Sequence, residues 1–314
     1  MSSSESSMSS VLLTLSNNLA DTVEQVGRCV VAVNVRGSHR GHWRSRISSS
    51  GIHWRSGIII TSDETIKRCE EITVTLADGR TVPVTVLGRD ATTDVAVLKL
   101  QDVDLPVAEI GDASTLKVGH LVLALAQGKE NGITASMGVV SAVGDAWRSM
   151  SGGLIDQFLR PDLNLYSGFP GGPLVEVTTG KVVGMNTSGP RNMALTIPAS
   201  TVNRVLDQLL SKGRIGRGYL GLGMQPVRLP DTLKSTLNLD STGGVIVINV
   251  EPNGPADQAG VMIGDVLVAM DGKPVSDTGD VQALLGTQSV GKTLKVQLVR
   301  GGALVELAIA VGEK

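Results

Sequence analysis

Histidines are the side chains best suited to move protons near neutral pH or to bind a transition metal. This sequence has four of them, His39, His42, His53 and His120. His39 and His42 have a spacing that two metal ligands could share, but no cysteine or acidic cluster accompanies them. The pattern therefore favours surface or packing roles for the histidines, and we expect neither a metal nor another cofactor.

A glycine-rich turn in the second half of the chain has the residue types of a nucleophile loop. Residues 167–174 read SGFPGGPL, and residues 181–187 read KVVGMNT. The turn resembles the G-x-S-G-G-P-L loop of trypsin-like serine proteases, and the second run is similar to the strand that follows the nucleophile in HtrA proteases. This resemblance places Pro170 at the nucleophile position and Gly168 and Phe169 in the oxyanion loop.

Two upstream segments extend the resemblance to HtrA proteases. Residues 59–65, IITSDET, resemble the strand end that carries the catalytic histidine, and residues 93–100, TDVAVLKL, resemble the segment of the catalytic aspartate. The segments follow one another in the chymotrypsin order of histidine, aspartate and serine. The resemblance therefore puts Glu64 at the histidine position and Asp94 at the aspartate position. It also implies a segment that pairs with substrate backbone, formed by Thr187, Ser188 and Gly189.

The residues at two of these positions cannot perform the chemistry of the family. Pro170 has no hydroxyl to attack a carbonyl and no N–H to bind an oxyanion. Glu64 could accept a proton, but it has no nucleophile to activate. Ser167 is the one evident substitute, yet it lies three residues early and outside the G-G-P turn. We therefore expect proteolysis by the usual mechanism to be absent.

Asp94 keeps the acid of the family pattern without its usual partner. The simplest interpretation is a buried acid held by backbone N–H groups. If Glu64 lies beside it, two carboxylates in a partly buried site should not both ionise freely. One of them would then have a raised pKa or recruit a cation.

The last third of the chain carries a second resemblance. Residues 252–261, PNGPADQAGV, and residues 264–267, GDVL, are similar to the signature of PDZ domains of the HtrA kind. Residues 218–222, GYLGL, resemble the loop whose N–H groups receive the terminal carboxylate of a peptide. The resemblance implies peptide binding by Tyr219, Leu220, Gly221, Leu222, Val281 and Leu284.

The composition is that of an ordinary globular protein, with 41% hydrophobic residues and a formal net charge of -2. It indicates neither nucleic-acid binding nor a membrane span. Cys29 and Cys69 are isolated, and we expect them to be reduced core residues. The N-terminal serine-rich run has no basic cluster, and the apolar stretch 11–15 is shorter than a signal-peptide core, so we expect a cytoplasmic location.

Short alternating runs separated by turn residues, together with 38 glycines and 2% aromatic residues, predict a mainly β chain. With the resemblance, the predicted architecture is a chymotrypsin/trypsin-like double β-barrel followed by a PDZ domain. Residues 36–50 read as a surface loop. The predicted divisions are a disordered serine-rich tail at 1–10, a helix and first barrel at 11–105, a second barrel at 106–198, a helical linker at 199–216 and the PDZ domain at 217–314.

Three functions remain open from the sequence. The first is a non-proteolytic scaffold, adaptor or chaperone-like protein that binds polypeptide C-termini or unfolded proteins through its PDZ domain. The second is an active serine endopeptidase of the HtrA family with an unforeseen catalytic arrangement. The third is a structural subunit of a hetero-oligomer with active paralogues. We also expect the chain to form a homo- or hetero-oligomer, possibly a trimer.

Overall fold

The computed structural model describes most of the chain. The described residues are 2–37, 46–67, 69–101, 103–128, 132–189, 193–239, 243–286 and 289–313. The chain divides into two compact units, Met1–Arg214 and Ile215–Lys314. Both units are built mainly from antiparallel strands, which confirms the predicted fold class.

The first half of unit one is a closed six-stranded barrel with the order β1-β2-β3-β6-β5-β4. Its strands are β1 (Val30–Gly37), β2 (Arg46–Arg55), β3 (Ile58–Ser62), β4 (Cys69–Thr75), β5 (Thr81–Asp90) and β6 (Val95–Leu100). Successive side chains of a strand point to opposite faces, so Val31, Val33 and Val35 all enter one apolar core. A short helix, α2 (Asp63–Ile66), follows β3 without an intervening loop.

Strand β2 begins inside the segment for which a surface loop is predicted. Its first residues pair with β1, with Ser48 opposite Asn34 and Ser50 opposite Ala32. The loop prediction is wrong for residues 46–50 because serines carry no strand signal, whereas closing the barrel between β1 and β3 provides backbone partners there. Residues 38–45, with His39 and His42, lie outside the described residues.

The second half of unit one is a six-stranded sheet with the order β11-β8-β7-β12-β13-β14. Its strands are β7 (Leu121–Gly128), β8 (Gly132–Gly144), β11 (Phe158–Asp162), β12 (Pro173–Glu176), β13 (Val182–Ser188) and β14 (Ala194–Pro198). A small ribbon consists of β9 (Trp147–Arg148) and β10 (Leu154–Ile155). Buried Val122, Leu174 and Val183 join β7, β12 and β13 in one core.

Two longer helices flank these sheets. Helix α1 (Ser2–Gly27) extends through the segment that composition predicts to be an unordered tail. Serine costs a helix only a few tenths of a kcal/mol per residue, so a helix already formed by the following apolar positions can extend through it. Helix α3 (Ala199–Lys212) buries Val202, Val205 and Leu206 and ends at Gly213, whose φ of 70° suits a left-handed cap.

Unit two is a sheet with the order β16-β17-β18-β20-β21, to which β19 adds beside β18. Its strands are β15 (Gly218–Tyr219), β16 (Leu222–Arg228), β17 (Gly243–Val250), β18 (Val266–Met270), β19 (Lys273–Pro274), β20 (Thr293–Arg300), β21 (Ala303–Ala310) and β22 (Gly312–Glu313). Its helices are α4 (Asp231–Leu237), α5 (Pro255–Gln258) and α6 (Thr278–Leu284). Strand β16 is an edge of the sheet. No helix among the residues that the structure describes is long and apolar enough to span a bilayer.

Candidate functional site

Asp94 lies where three elements of unit one meet. Its carboxylate accepts hydrogen bonds from Thr187 Oγ1 at 2.6 Å, from Ser62 Oγ at 2.8 Å and from the backbone N–H of Glu64 at 2.9 Å. These donors come from the end of β13, the end of β3 and the start of α2. The acid is therefore held by one backbone N–H and two hydroxyls rather than by backbone N–H groups alone.

Burial raises the pKa of Asp94, because desolvation penalises the charged carboxylate. The three hydrogen bonds oppose this rise, and the negative charge of Asp63 adds to it. The side chain of Glu64 is exposed, and this residue contributes its backbone N–H to the acid. The pKa of Asp94 is thus raised mainly by burial, and the neighbouring charge that adds to the rise belongs to Asp63 and not to Glu64.

Asp63 is itself a buried charge, with 3% of its side chain exposed. Arg89 Nε lies 2.6 Å from Asp63 Oδ1 and is one-third exposed, so the pair spans the boundary between core and solvent. Buried carboxylates need such a partner to remain ionised. Strand β5 thereby supplies the positive charge of the Asp94 corner, the cluster of Asp94, Ser62, Asp63, Arg89 and Thr187.

The Pro170 loop, residues 168–172, is held by its backbone carbonyls. The Gly168 carbonyl accepts from Ser50 Oγ at 2.7 Å. The Pro170 carbonyl accepts from the Ser50 N–H at 3.1 Å and also from Ser49 Oγ. These contacts tie the loop to β2 of the first barrel.

Two further backbone bonds shape the same loop, one to strand β13 and one within the loop. Gly171 N–H donates to the Asn186 carbonyl at 2.9 Å, and Gly172 N–H donates to the Phe169 carbonyl at 2.9 Å. Gly171 has φ of 83°, and a β-carbon there would lie 2.2 Å from the Ser50 carbonyl oxygen. Only glycine fits this position.

Phe169, assigned by resemblance to the oxyanion loop, is turned into the sheet. Its ring is 3% exposed, packs against Ala124 and Ala126, and meets Tyr166 edge-on with ring centroids 6.0 Å apart. Its backbone N–H donates to the Tyr166 carbonyl at 3.1 Å. Both the side chain and the N–H of Phe169 are therefore engaged within the loop.

Ser49 and Ser50 are the site residues that sequence reasoning missed. Ser50 Oγ accepts from the Gln127 N–H at 3.0 Å while it donates to Gly168, so one oxygen bonds both β7 and the loop. The sequence signals a strand only through the alternating apolar residues Ile52 and Trp54, and the serine pair before Gly51 carries no strand signal of its own.

The predicted substrate segment begins at the end of β13. On one side Thr187 pairs with Leu195 and Ser188 with Ala194 of β14. On the other side the pairing with β12 ends at Met185, opposite Pro173. Within the described part of the chain, no strand of the sheet pairs with Thr187 and Ser188 on that side. Gly189 follows and donates its N–H to the Met193 carbonyl at 2.8 Å.

In unit two, the loop at residues 219–222 directs two N–H groups away from the domain body. The Leu220 carbonyl accepts from the Ala256 N–H at 2.9 Å, and the Gly221 carbonyl accepts from the Glu251 N–H at 2.8 Å. The C=O and N–H of a trans peptide point in opposite directions, so the N–H groups of Gly221 and Leu222 face the other way. Such a concave pair of donors suits an anion.

The remaining residues assigned to peptide binding differ in accessibility. Val281 is 0% exposed and Leu220 2% exposed, both within the core of unit two. The side chains of Val281 and Leu220 therefore pack inside unit two, and their assignment to peptide binding stays a prediction. Leu222 and Leu284 are partly exposed at the border of the core, and Tyr219 lies in β15, paired with β22.

His53 and Cys29 have packing roles. His53 is 2% exposed; its Nε2 accepts from the Gly57 N–H at 3.1 Å, and its Nδ1 lies 2.9 Å from the Pro106 carbonyl. These partners fit a neutral ring with its proton on Nδ1. Burial raises the pKa of the Cys29 thiol to about 12, so this cysteine is unreactive. No group of three metal-binding side chains occurs among the residues that could be described.

Comparison with protein families finds two matches. Residues 49–185 match the trypsin-like peptidase domain, and residues 218–311 match the PDZ domain. The first match contains the Pro170 loop and the residues of the Asp94 corner except Thr187, and the second contains the loop at residues 219–222.

Curated relatives carry the name probable periplasmic serine endoprotease DegP-like. The Pseudomonas fulva protein is 33% identical over 88% of this chain, and the Halomonas elongata protein is 31% identical over 87%. The chain spans 58% of the length of each of these two relatives. The expected cytoplasmic location is wrong by this comparison, because relatives of this similarity are named periplasmic. Composition and a short N-terminal segment do not report the compartment.

Solved structures with the same fold cover nearly the whole chain. An HtrA-type protease, AlgW, solved with a decapeptide, has a TM-score of 0.73 and 25% identity over 94% of this chain and 98% of its own. A serine endoprotease from Yersinia pestis has a TM-score of 0.71 and 29% identity over 93% of this chain and 97% of its own. Both domains, their order and the fold agree with these proteins, and the chain belongs to the HtrA-type family of trypsin-like serine proteases with a PDZ domain.

Proposed function

We propose that this HtrA-type chain does not cleave peptides and acts by capturing polypeptide C-termini through its PDZ domain. The observation that carries the proposal is the chemistry of Pro170. Its carbonyl is fixed by Ser49 and Ser50, its ring carries no hydroxyl, and its nitrogen carries no proton. A nucleophile and an oxyanion donor are therefore both missing from the loop position where the family has them.

Four hydroxyls near Asp94 and the Pro170 loop are too buried to replace the missing nucleophile. Ser62 and Thr187 donate to Asp94, but they are 2% and 9% exposed, and a substrate carbonyl cannot reach them. Ser49 and Ser50 are 3% and 0% exposed, and their hydroxyls donate to carbonyls of the Pro170 loop. Each of these four hydroxyls has a structural partner.

The loop at residues 219–222 supports the binding half of the proposal. Its two outward N–H groups can donate hydrogen bonds to one terminal carboxylate, and the partly exposed side chains of Leu222 and Leu284 offer apolar contact to the last residue of a ligand. The AlgW structure that shares this fold was solved with a decapeptide. Because the chain covers little more than half of its curated relatives, capture is proposed for these two domains only.

Labelling with a fluorophosphonate probe, together with hydrolysis of unfolded casein, tests the absence of catalysis. We expect the unmutated chain neither to label nor to cleave. The matched variant is Glu64→His with Pro170→Ser, which restores the family residues beside the retained Asp94. Activity in this double variant alone would show that the surroundings of Asp94 can support catalysis. It would also show that two side chains account for the absence of proteolysis in the unmutated chain. Labelling of the unmutated chain at any serine would contradict the proposal.

An active serine endopeptidase is the second candidate, favoured by the names of the curated relatives. The two candidates differ in one measurement, because loss of a triad serine lowers turnover by about a millionfold. Cleavage of casein by the unmutated chain, retained after an affinity step that removes contaminating proteases, would establish this alternative. If the unmutated chain cleaves no casein while the double variant does, the active-endopeptidase alternative is rejected.

A further inference from the structure

The sheet of unit two ends in strands β16 and β21, and β21 is the less protected edge. Strand β16 contains Pro226, and its pairing with β17 is irregular. Strand β21 reads ALVELAIA, without proline, glycine or lysine, and pairs with β20 in unbroken register from Ala303 to Ala310. Proteins block open edges with proline, charge or bulges, because unpaired N–H and C=O groups bind other strands. Of these devices, β21 has the single charge of Glu306.

Alternate residues of β21 direct their backbone groups away from β20. The N–H of Lys295 donates to Asp271 Oδ1 at 2.9 Å, and its carbonyl accepts from the Asp271 N–H at 2.8 Å. Lys295 lies opposite Ala308, so these two residues form a non-hydrogen-bonded pair. The N–H and C=O of Ala308 therefore face the free edge. Alternation along the strand gives the same direction to the backbone groups of Leu304, Glu306 and Ala310.

The surroundings of this edge leave room for another strand. Within the described part of the chain, β20 is the one strand that pairs with β21. Helix α5 contacts β21, but the buried Ala256 and Ile309 share one core, so this contact lies on the inner face of the sheet. On the outer face, Lys295 Nζ lies 3.9 Å from Glu306 Oε1, and both side chains are more than half exposed. One base and one acid therefore stand beside the open edge.

We propose that β21 pairs antiparallel with β21 of a second copy of this chain, with Leu307 opposite Leu307, so that two copies share one continuous sheet. This register places Glu306 opposite Ala308 of the second copy and Leu304 opposite Ala310. All four residues direct their backbone groups to the edge, and each facing pair exchanges two hydrogen bonds, about eight in the dimer. The inference is independent of the proposed capture of C-termini.

Charge selects this register among the neighbouring ones. Glu306 faces Ala308 of the second copy, and Lys295 of that copy lies in the same row on the next strand. The small alanine side chain lets the acid and the base approach each other above it, once on each side of the twofold axis. Shifting the strands one way puts Glu306 opposite Glu306, and shifting them the other way puts two Lys295 side chains in one row. Like charges that face each other destabilise strand pairing.

Disulfide cross-linking of the full chain tests the register. The double variant Leu304→Cys with Ala310→Cys places cysteines of different copies opposite each other, at a Cα separation that a disulfide accepts. We expect a covalent dimer on a non-reducing gel after mild oxidation. Residues 304 and 310 of one chain are about 20 Å apart, so they cannot bond within a copy. Each single variant is a matched control and should form no covalent dimer, because neither residue lies opposite itself.

Charge reversal tests the same pairing without cysteines. Glu306→Lys puts two positive charges in one row at two places and should weaken association about tenfold, measured by sedimentation equilibrium. Adding Lys295→Glu reverses both charges and should restore the association of the unmutated chain. Glu109→Lys changes an exposed acid of unit one by the same charge and should have no effect.

These measurements can overturn the inference separately. Absence of a covalent dimer from a folded double-cysteine variant, or equal cross-linking of the single variants, would exclude the register. If that variant does not fold, the charge variants decide. Association of Glu306→Lys that equals the unmutated chain, or a loss that Lys295→Glu does not restore, would show that β21 is not the contact between copies.

Discussion

The Asp94 corner and the Pro170 loop are equally rich in hydrogen bonds but differ in the atoms that receive them. At the corner, two hydroxyls and one N–H converge on a side chain, the carboxylate of Asp94. At the loop, the hydroxyls of Ser49 and Ser50 converge on backbone carbonyls. The corner therefore needs a side chain at residue 94 that accepts hydrogen bonds, whereas the loop bonds use backbone carbonyls that any residue supplies.

In the proposed non-proteolytic chain, this difference would explain how Glu64 and Pro170 can stand at the two catalytic positions without loss of the fold. The structure uses the N–H of Glu64 and the carbonyl of Pro170, which are backbone atoms at both positions. Among Glu64, Asp94 and Pro170, Asp94 is the residue whose side chain accepts these structural hydrogen bonds. The proposed loss of catalysis therefore falls on two positions where the fold uses backbone atoms.

The largest effect should come from Gly171→Ala in the Pro170 loop. The residue has φ of 83°, and its β-carbon would strike the Ser50 carbonyl, so we expect a loss of about 4 kcal/mol in the free energy of unfolding. Urea denaturation measures it. Gly180→Ala is the matched control, with φ of 67° and no atom within 4 Å, and it should cost about 1 kcal/mol. Equal losses in the two variants would mean that contact with β2 does not constrain the loop.

A smaller loss should follow Arg89→Met at the Asp94 corner. It leaves the Asp63 carboxylate, 3% exposed, without its cation, at a cost of about 2 to 3 kcal/mol, reduced from the cost for a fully buried pair because Arg89 is one-third exposed. Adding Asp63→Asn should recover part of that loss. A double variant no more stable than Arg89→Met would show that the charge of Asp63 is not what the arginine compensates.

The smallest effect at neutral pH, and the most specific one, should come from Asp94→Asn. The pKa of Asp94 is raised above its usual value of 3.8, so the folded state holds this proton more tightly than the unfolded state does. Its contribution to stability therefore falls as pH rises from 3.8 through the raised pKa and then stays constant. The variant should lack that fall and equal or slightly exceed the parent at neutral pH, measured by thermal unfolding between pH 4 and 8. A steeper pH dependence in the variant would contradict the raised pKa.

The fold class could be predicted from the sequence because its signals are local. Turn residues, strand alternation and the PDZ signature each lie within a few consecutive positions. The bonds of Ser49 and Ser50 could not be predicted, since Ser50 meets Gly168 across 118 residues of chain. Likewise the pattern places Val281 on α6 but does not show that its side chain is packed inside. The role of Asp63 was missed because its importance comes from Arg89, on a different strand.

The oxygen of Ser50 has a mechanical consequence. This oxygen belongs to the first barrel, yet it accepts a hydrogen bond from the backbone N–H of Gln127 in the second sheet and donates one to the Gly168 carbonyl. Any motion that widened the gap between the two halves would have to break both bonds together, in a place that water does not reach. These two hydrogen bonds therefore resist separation of the barrel from the sheet. We expect the two halves of unit one to keep a fixed spacing if a polypeptide binds between them.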